Sequence, residues 1–468
     1  MIRLILGRLI VFLPTLVVLS WLAFGLNQCS PEDPVSRLLP LEEVRLREDD
    51  PTAYERAYQQ AAERMGQDLP LFYFGIGHKA APPADLDAPL PQQKKWLEDM
   101  CLKTGRPDLV ASYYQVLRRL ANGNQNGIST VAKELLLTTE ADRVAAKWAE
   151  LEAAVKQENP ETQTALAPVV AEISDLRSQM EAEPARGNIL RPTFSWHGPD
   201  NQYHRWLTGI LSGDLGVSYI NRQPVGQKIG QALKWTALIN FLAILLAYGV
   251  AVPLGLKLGS RAGSKFDSRV SFFLLLLFSI PAFWTATMIS SFFTTPAYGM
   301  DWFPSMGVGR IPDGTGWLAI LWIRIKHLFL PVLMLAYPSW AYLSRQMRAS
   351  TLTELGKPYI QTARLKGPGE DQILRKHVLR NALFPIITML AGLFPTLLAG
   401  SVLIEMIFNL PGMGQLLVTS TLEQDWPVVT AILIISGLAT ILGLLMADIL
   451  YRWADPRLRG TGTQKASE

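Results

Sequence analysis

The chain has 468 residues, 49% of them hydrophobic and 18% charged, with a formal net charge of +4. That charged fraction is below the roughly 25% usual for soluble domains, and the small net charge gives no basis for a nucleic-acid partner. The two cysteines, Cys29 and Cys101, form no CxxC pair, so no thiolate metal site is indicated.

The first apolar run, Leu4–Leu26, follows Arg3 and brackets Arg8. As a helix it is about 34 Å long, enough to cross about 30 Å of hydrocarbon, and longer than the core of a cleaved signal peptide. It is read as an uncleaved membrane anchor. Further runs occur at Trp235–Leu256, Val270–Phe293, Leu328–Leu343 (short and interrupted by proline), Ala382–Ile404 and Val428–Leu450, six spans in all. Prolines 253, 281, 331, 338, 385 and 395 lie in or at the ends of these runs. Membrane helices tolerate such breaks when neighbours satisfy the freed carbonyls, and their number suggests a moving bundle.

Basic residues set the orientation. Lys257, Arg261, Lys265 and Arg269 follow the second span, Arg345, Arg348 and Lys357 follow the fourth, and Arg452, Arg457, Arg459 and Lys465 follow the sixth. The segment from Glu405 to Pro427 carries Glu405, Glu423 and Asp425 without a Lys or Arg. Both termini are thereby expected in the cytoplasm. Arg310, Arg324 and Lys326 would then lie outside, the last two reaching the interface by snorkelling.

Residues from about Asn27 to Ile229 fall between the first two spans and are expected outside the membrane. Long loops cross whatever their charge. Within them Pro51–Met65, Trp96–Leu120, Ala132–Lys156 and Thr164–Met180 read as helices, with Asn159-Pro160 breaking the last two into an antiparallel pair. A mostly helical domain is expected here, serving either as structural padding or to dock a partner. Cys29 and Cys101 would both lie in this region, as a disulfide or as two free thiols.

Sequence signatures of catalysis are missing. No Walker A, GxSxG or HExxH pattern occurs, and the five histidines (His78, His197, His204, His327, His377) are scattered. Asp448 in the last span is placed to pair with Arg452 one turn on. No catalytic or metal-binding residue is assigned.

The segment "PYIQTARLKGPGEDQILRKHVLRNALFP", Pro358–Pro385, stands apart. It reads as two short helices around Gly367-Pro368-Gly369. The glycines open backbone angles closed to other residues, and Pro368 stops helix propagation. Ile360, Leu365, Ile373 and Leu374 offer apolar teeth, Arg364, Lys366, Arg375 and Lys376 offer charge, and Ala363 leaves room for close approach. Such an elbow suits the groove of a soluble partner.

This segment resembles the cytoplasmic coupling loop of binding-protein-dependent ATP-binding-cassette importer permeases, specifically the first permease of the dipeptide/oligopeptide/nickel group. "GRLIVFLPTLVVLSWLAF" is similar to that group's first helix, Gln202–Ile229 to its membrane-proximal segment, Ile404–Val429 to its re-entrant loop, and Ala454–Arg459 to its ending. The likeness covers residues 1–27 and about 200–459. Gln361-Thr362-Ala363 stands where the general motif has Glu-Ala-Ala, and Pro385 lies further from Gly367, both as in the peptide group. The insert, about Cys29–Phe194, departs from the group's much shorter loop.

The resemblance implies an all-α polytopic protein with the six-helix type I importer fold. It divides into transmembrane helix 1 (1–27), an extracytoplasmic helical insert (28–199), a permease core (200–459) with its coupling loop at 357–381, and a cytoplasmic tail (460–468). The implied ATPase-coupling residues are Tyr359, Thr362, Ala363, Arg364, Lys366, Gly367, Arg375, His377, Arg380 and Asn381. Those of the periplasmic gate and loop are Gly213, Asp214, Gly216, Ser218, Glu405, Pro411, Gly412 and Gly414. The implied partners are a second permease, two ATPases that hold ATP and Mg, a substrate-binding protein and the bacterial inner membrane. No cofactor is expected on this chain. A membrane scaffold or sensor whose outer domain binds a ligand or envelope partner is the competing expectation.

Overall fold

The computed structural model describes residues 2–29, 33–83, 86, 88–123, 126–182, 185–393 and 400–454. The chain divides into two compact units, Pro31–Gly213 and the remainder.

Helix α1, Ile2–Gln28, contains Pro14 without ending there. The Pro31–Gly213 unit then opens with α2 (Pro34–Leu38), α3 (Leu41–Asp49) and α4 (Pro51–Met65). Asp50 caps α4 by accepting from the amides of Thr52 and Ala53, and Gly66 closes it in the left-handed conformation. Strand β1 (Phe74–His78) follows, then α5 (Pro91–Thr104), α6 (Pro107–Ala121), α7 (Asn126–Leu135), α8 (Ala141–Gln157), α9 (Pro160–Ala182), β2 (Pro192–Trp196) and α10 (Gln202–Leu211).

The core of this unit lies between α5, α6, α7 and the α8–α9 pair, around Trp96, Tyr114, Leu117, Leu135, Leu151 and Ile173. Cys101 is buried there and burial pushes its thiol up to about 12, so it has the inert character of a core thiol. Both cysteines are free.

Three expectations for this region need correction. The run Ala132–Lys156 is two helices, because the chain turns between Leu135 and Ala141, where the Thr138 hydroxyl returns to the carbonyl of Glu134. Trp96–Leu120 is likewise divided at Gly105, whose left-handed backbone ends α5. The protein is also not all-α: β1 and β2 pair antiparallel, Phe74 opposite Trp196 and His78 opposite Pro192. That ladder joins segments far apart in sequence, so no local pattern announces it.

The other unit continues with α11 (Val225–Ser260), α12 (Lys265–Ser279), α13 (Ala282–Thr294), α14 (Trp317–Leu355), α15 (Pro358–Leu365), α16 (Glu370–Ile373), α17 (Leu379–Gly392), α18 (Val402–Ile407), α19 (Met413–Leu422) and α20 (Trp426–Ala454). Among the described residues α11, α14 and Trp426–Met446 of α20 are long and apolar enough to cross a membrane. The α12–α13 pair passes the same test jointly but bends by 90° at Ile280-Pro281, where one continuous span was expected. Pro281 cannot donate to the Leu277 carbonyl, which accepts from the Ile280 amide at 3.4 Å instead, and the Ile280 carbonyl accepts from the Tyr337 hydroxyl at 3.3 Å.

The fourth run is not a short broken segment. Helix α14 runs unbroken through Pro331 and Pro338 for 39 residues. Arg324 donates to the carbonyls of Val308 and Gly309 and lies 4.8 Å from the Trp235 ring. The fifth run includes residues 394–399, and the side chains of Asp448 and Arg452 fall in the last; both expectations lie outside the described residues.

Helices α11 and α14 form the most extensive pairing in this unit, and its cause is visible in the sequence. Ala243, Ala247, Ala251, Gly255 and Gly259 recur at every fourth residue of α11 and are all buried. This small-residue seam lets two backbones approach closely, as membrane helices commonly do. A Cβ at Gly255 would meet Met347 Cβ at 2.5 Å and the Ser344 carbonyl at 2.6 Å. Gly255→Leu is therefore expected to cost at least the ~1–3 kcal/mol of an overpacked core. It would read out as a lower melting temperature of the purified protein in detergent, with Gly249→Leu, which meets nothing within 4 Å, as the unaffected control.

Candidate functional site

The basic elbow is built from α15, the turn Lys366–Gly369, α16, a wide π-helical turn over Leu374–Val378, and α17. Lys357 precedes Pro358 in extended conformation, and Pro358 occupies the first turn of α15, where its missing N–H is not needed. Gly367 has φ +86°, and its amide donates to the Arg364 carbonyl at 3.0 Å. Gly369 has φ −65°, an angle open to any residue, so the corner needs one glycine and not two.

The apolar teeth divide. Ile360 and Ile373 are fully buried, packed with Met347, Val378, Ala382 and Ile386, and Leu374 is half-buried against the same cluster. They root the elbow in its own unit. Only Leu365, at 89% exposure, projects outward. Helical periodicity could not tell an inward tooth from an outward one, because both faces of α15 carry apolar residues.

A hydrogen-bonded chain fixes the root. The Tyr359 hydroxyl donates to Glu354 at 2.6 Å and accepts from the Asn381 amide at 2.7 Å, and Lys357 pairs with the other Glu354 oxygen. Burial, and the Glu354 carboxylate that accepts its proton, hold the Tyr359 hydroxyl above the ordinary tyrosine range. Tyr359 and Asn381 are thus brought together as a brace between α14, α15 and α17.

The outward side is different. Tyr359, Thr362, Ala363, Lys366, Pro368 and His377 line one cleft of about 380 Å³. Arg364, Arg375, Lys376 and Arg380 are exposed around it. The Arg364–Glu370 pair across the corner is 3.1 Å long and solvent-exposed, a class of contact that contributes little to stability. This surface offers cations and one open cleft but, among the described residues, no cluster of metal ligands.

A second group of site residues gathers around two buried carboxylates. Glu405 on α18 accepts from Thr236 Oγ1 at 3.0 Å, from the Gln415 amide at 3.0 Å and from the Ser401 amide at 3.3 Å. Gly412 and Gly414 make this possible. A Cβ on the first would sit 2.5 Å from the Glu405 carboxyl carbon, and on the second 2.8 Å from Val402 Cα. Pro411 remains exposed beside them.

Asp425, missed as a site residue, is fully buried. It accepts from Ser218 Oγ at 2.5 Å, from the Tyr219 amide at 2.9 Å and from Lys228 at 3.1 Å. Asp214 and Gly216 shape the approach, the Asp214 carboxylate accepting from the Gly216 amide at 2.9 Å. Gly213, with φ +89°, closes the turn after α10. The sequence showed the acidic character of residues 405–427 but not that one carboxylate meets a partner 207 residues away.

A third pair was also not foreseen. Arg348 on α14 grips Asp267 through both oxygens at 2.8 and 2.7 Å, while Gly263 donates its amide to the same carboxylate. It locks the start of α12 onto α14.

Long apolar helices packed through a small-residue seam, with a rooted cationic elbow, define a multi-pass membrane protein of the transporter kind. Residues 251–460 match the family described as "Binding-protein-dependent transport system inner membrane component". The chain is 36% identical to the oligopeptide transport system permease protein AppB of Bacillus subtilis (strain 168), over 55% of this chain and 79% of that one. It is 31% identical to the dipeptide transport system permease protein DppB of Escherichia coli (strain K12), over 55% and 80% respectively. Among solved structures, an inward-facing MetNI methionine ABC transporter chain aligns over 48% of this chain and 96% of its own, at 17% identity and a TM-score of 0.37. The chain belongs to the binding-protein-dependent inner-membrane transport family: it is a permease subunit of an ATP-binding-cassette transporter, a transport component and not itself an enzyme.

Proposed function

We propose that this chain forms half of a pore that imports peptides, or a related small solute, across the bacterial inner membrane. A second permease completes the pore. Two ATPase subunits bind and hydrolyse ATP with Mg, and a substrate-binding protein delivers the cargo from outside. The relatives named above are oligopeptide and dipeptide permeases, which supports a peptide cargo. In this reading residues 1–27 and 200–459 supply six membrane helices in a type I arrangement with both termini cytoplasmic. Residues 28–199 form an extracytoplasmic insert, and 460–468 a cytoplasmic tail.

The observation that carries the reading is the two-sided elbow. Its inner side is fastened by Ile360, Ile373 and the Tyr359–Glu354–Asn381 brace. Its outer side leaves Thr362, Ala363, Arg364, Lys366, Arg375, His377 and Arg380 to a partner. A rooted lever with a free basic face transmits a push from a soluble motor into the helix bundle. The gate residues Gly213, Asp214, Gly216, Ser218, Glu405, Pro411, Gly412 and Gly414 then hold the loops at the opposite end of the path.

Tagged chain purified from its native membrane is expected to bring down two ATPase copies and a sister permease, quantified by intact-complex mass spectrometry. A stable particle without any ATPase overturns the proposal.

A further inference from the structure

The ribbon formed by β1 and β2 carries its side chains in two unlike sets. Directly opposed residues of an antiparallel pair share a face, as do residues two apart. The register therefore puts Phe74, Ile76, His78, Pro192, Phe194 and Trp196 on one face, and Gly75, Gly77, Thr193 and Ser195 on the other. The large residues are not buried by that arrangement: Ile76 is 77% exposed, Phe194 70% and Trp196 69%, with Leu190 beside them at 85%. The Phe74 and Phe194 rings stack at 6.1 Å, so the face is continuous. Aromatic rings left in water on a two-stranded ribbon are costly, and such a ribbon alone is marginal.

The charged residues of the two strand segments themselves are basic, with Asp68, Asp85, Asp87, Glu183 and Asp200 just beyond them. Residues 69–83 and 185–199 contain no Asp or Glu, while Lys79, Arg186 and Arg191 flank the strands. Lys79 and Arg191 meet at the ribbon's end, where the Lys79 amide donates to the Arg191 carbonyl at 2.9 Å. Among the described residues neither side chain has a carboxylate partner.

The ribbon is also fastened to the last element before the membrane helices. Tyr203 at the start of α10 contacts Phe72 with ring centroids 5.0 Å apart, and His204 bonds the Tyr73 hydroxyl at 2.9 Å. Only residues 212–224 then separate α10 from the membrane helix α11.

We infer that the aromatic face of the β1–β2 ribbon inserts into the headgroup region of the bilayer, with Lys79 and Arg191 on anionic lipid. Trp and Phe favour that interface, and cations beside them add attraction to acidic headgroups. A protein partner's groove would be met by an anchor in a mixed polar rim. A basic pair at the end of a flat aromatic face matches lipid phosphate instead.

The test uses full-length protein with Cys29→Ser, leaving buried Cys101 in place, reconstituted in phosphatidylcholine vesicles with and without phosphatidylglycerol. Spin labels are placed singly at Ile76→Cys, Phe194→Cys and, on the opposite face, Thr193→Cys. The ratio of collision rates with oxygen, which partitions into lipid, to those with a water-soluble nickel chelate is expected to be about threefold higher at 76 and 194 than at 193. The contrast should shrink in the Lys79→Glu, Arg191→Glu variant when phosphatidylglycerol is present. Equal access of the nickel chelate to both faces overturns the inference. So does shielding of 76 and 194 from both reagents, which would mean that protein covers the ribbon. Assembly with ATPases is not read here, so the outcome is independent of the proposed pore.

Discussion

Gly367→Val is expected to reduce transport about tenfold or more while leaving the amount of membrane-inserted protein unchanged. A β-branched residue at φ +86° forces the backbone into a region that costs it on the order of 1–2 kcal/mol, and 1.4 kcal/mol is a factor of ten in any equilibrium that depends on the native corner. No neighbour lies within 4 Å of a Cβ there, so the penalty is conformational and not a clash. The consequence is confined to the angle between α15 and α16. Gly369→Ala is the matched control, since its backbone angle suits alanine. Ala363→Asp attacks the same elbow from the other side by placing an anion on the lining of the cleft. Both variants are checked by substrate-stimulated ATP hydrolysis of the reconstituted complex. Normal stimulation in both would show that the elbow does not transmit motion.

Asp425→Ala is expected to be the most destabilising single change in the loops around α19. It would strand Lys228, which is only 15% exposed, together with Ser218 Oγ and the Tyr219 amide. Breaking a buried ion pair by removing one partner costs roughly 3–5 kcal/mol, because the remaining charge keeps its desolvation penalty. Glu370→Ala, at the exposed Arg364–Glu370 pair, should change stability by at most ~1 kcal/mol. Thermal unfolding of detergent-purified variants decides between these magnitudes. Adding Lys228→Met to Asp425→Ala should recover part of the loss, and its failure to do so would mean the pair is not coupled.

Much of the architecture was readable where local chemistry is strong. Asn159-Pro160 stops α8, and the structure shows why: the Asn159 side chain accepts from the Thr162 amide at 2.8 Å and caps α9. The long apolar runs at α11 and α20 were plain from composition. The corner at Gly367 was plain from its glycine and proline. What stayed hidden needed contacts between distant residues. The direction of Ile360 depends on where Met347 and Ile386 lie. The pairing of Phe74 with Trp196 and of Asp425 with Ser218 are likewise tertiary facts. The unbroken course of α14 through Pro331 and Pro338 is another: Pro331 is buried and Pro338 half-buried, so the helix is continued by its packing and not by its own ladder alone.

The Glu405 carboxylate has a kinetic consequence. Its two oxygens are shared by the hydroxyl of a long helix and by amides at the starts of α18 and α19, with glycines pressed against it so that nothing else can fill the space. These pieces cannot slide past one another a little at a time, since each small displacement strips a buried acceptor of a donor before a new one arrives. In any rearrangement of the bundle this corner is expected to travel as a single plate and to release in one discrete step.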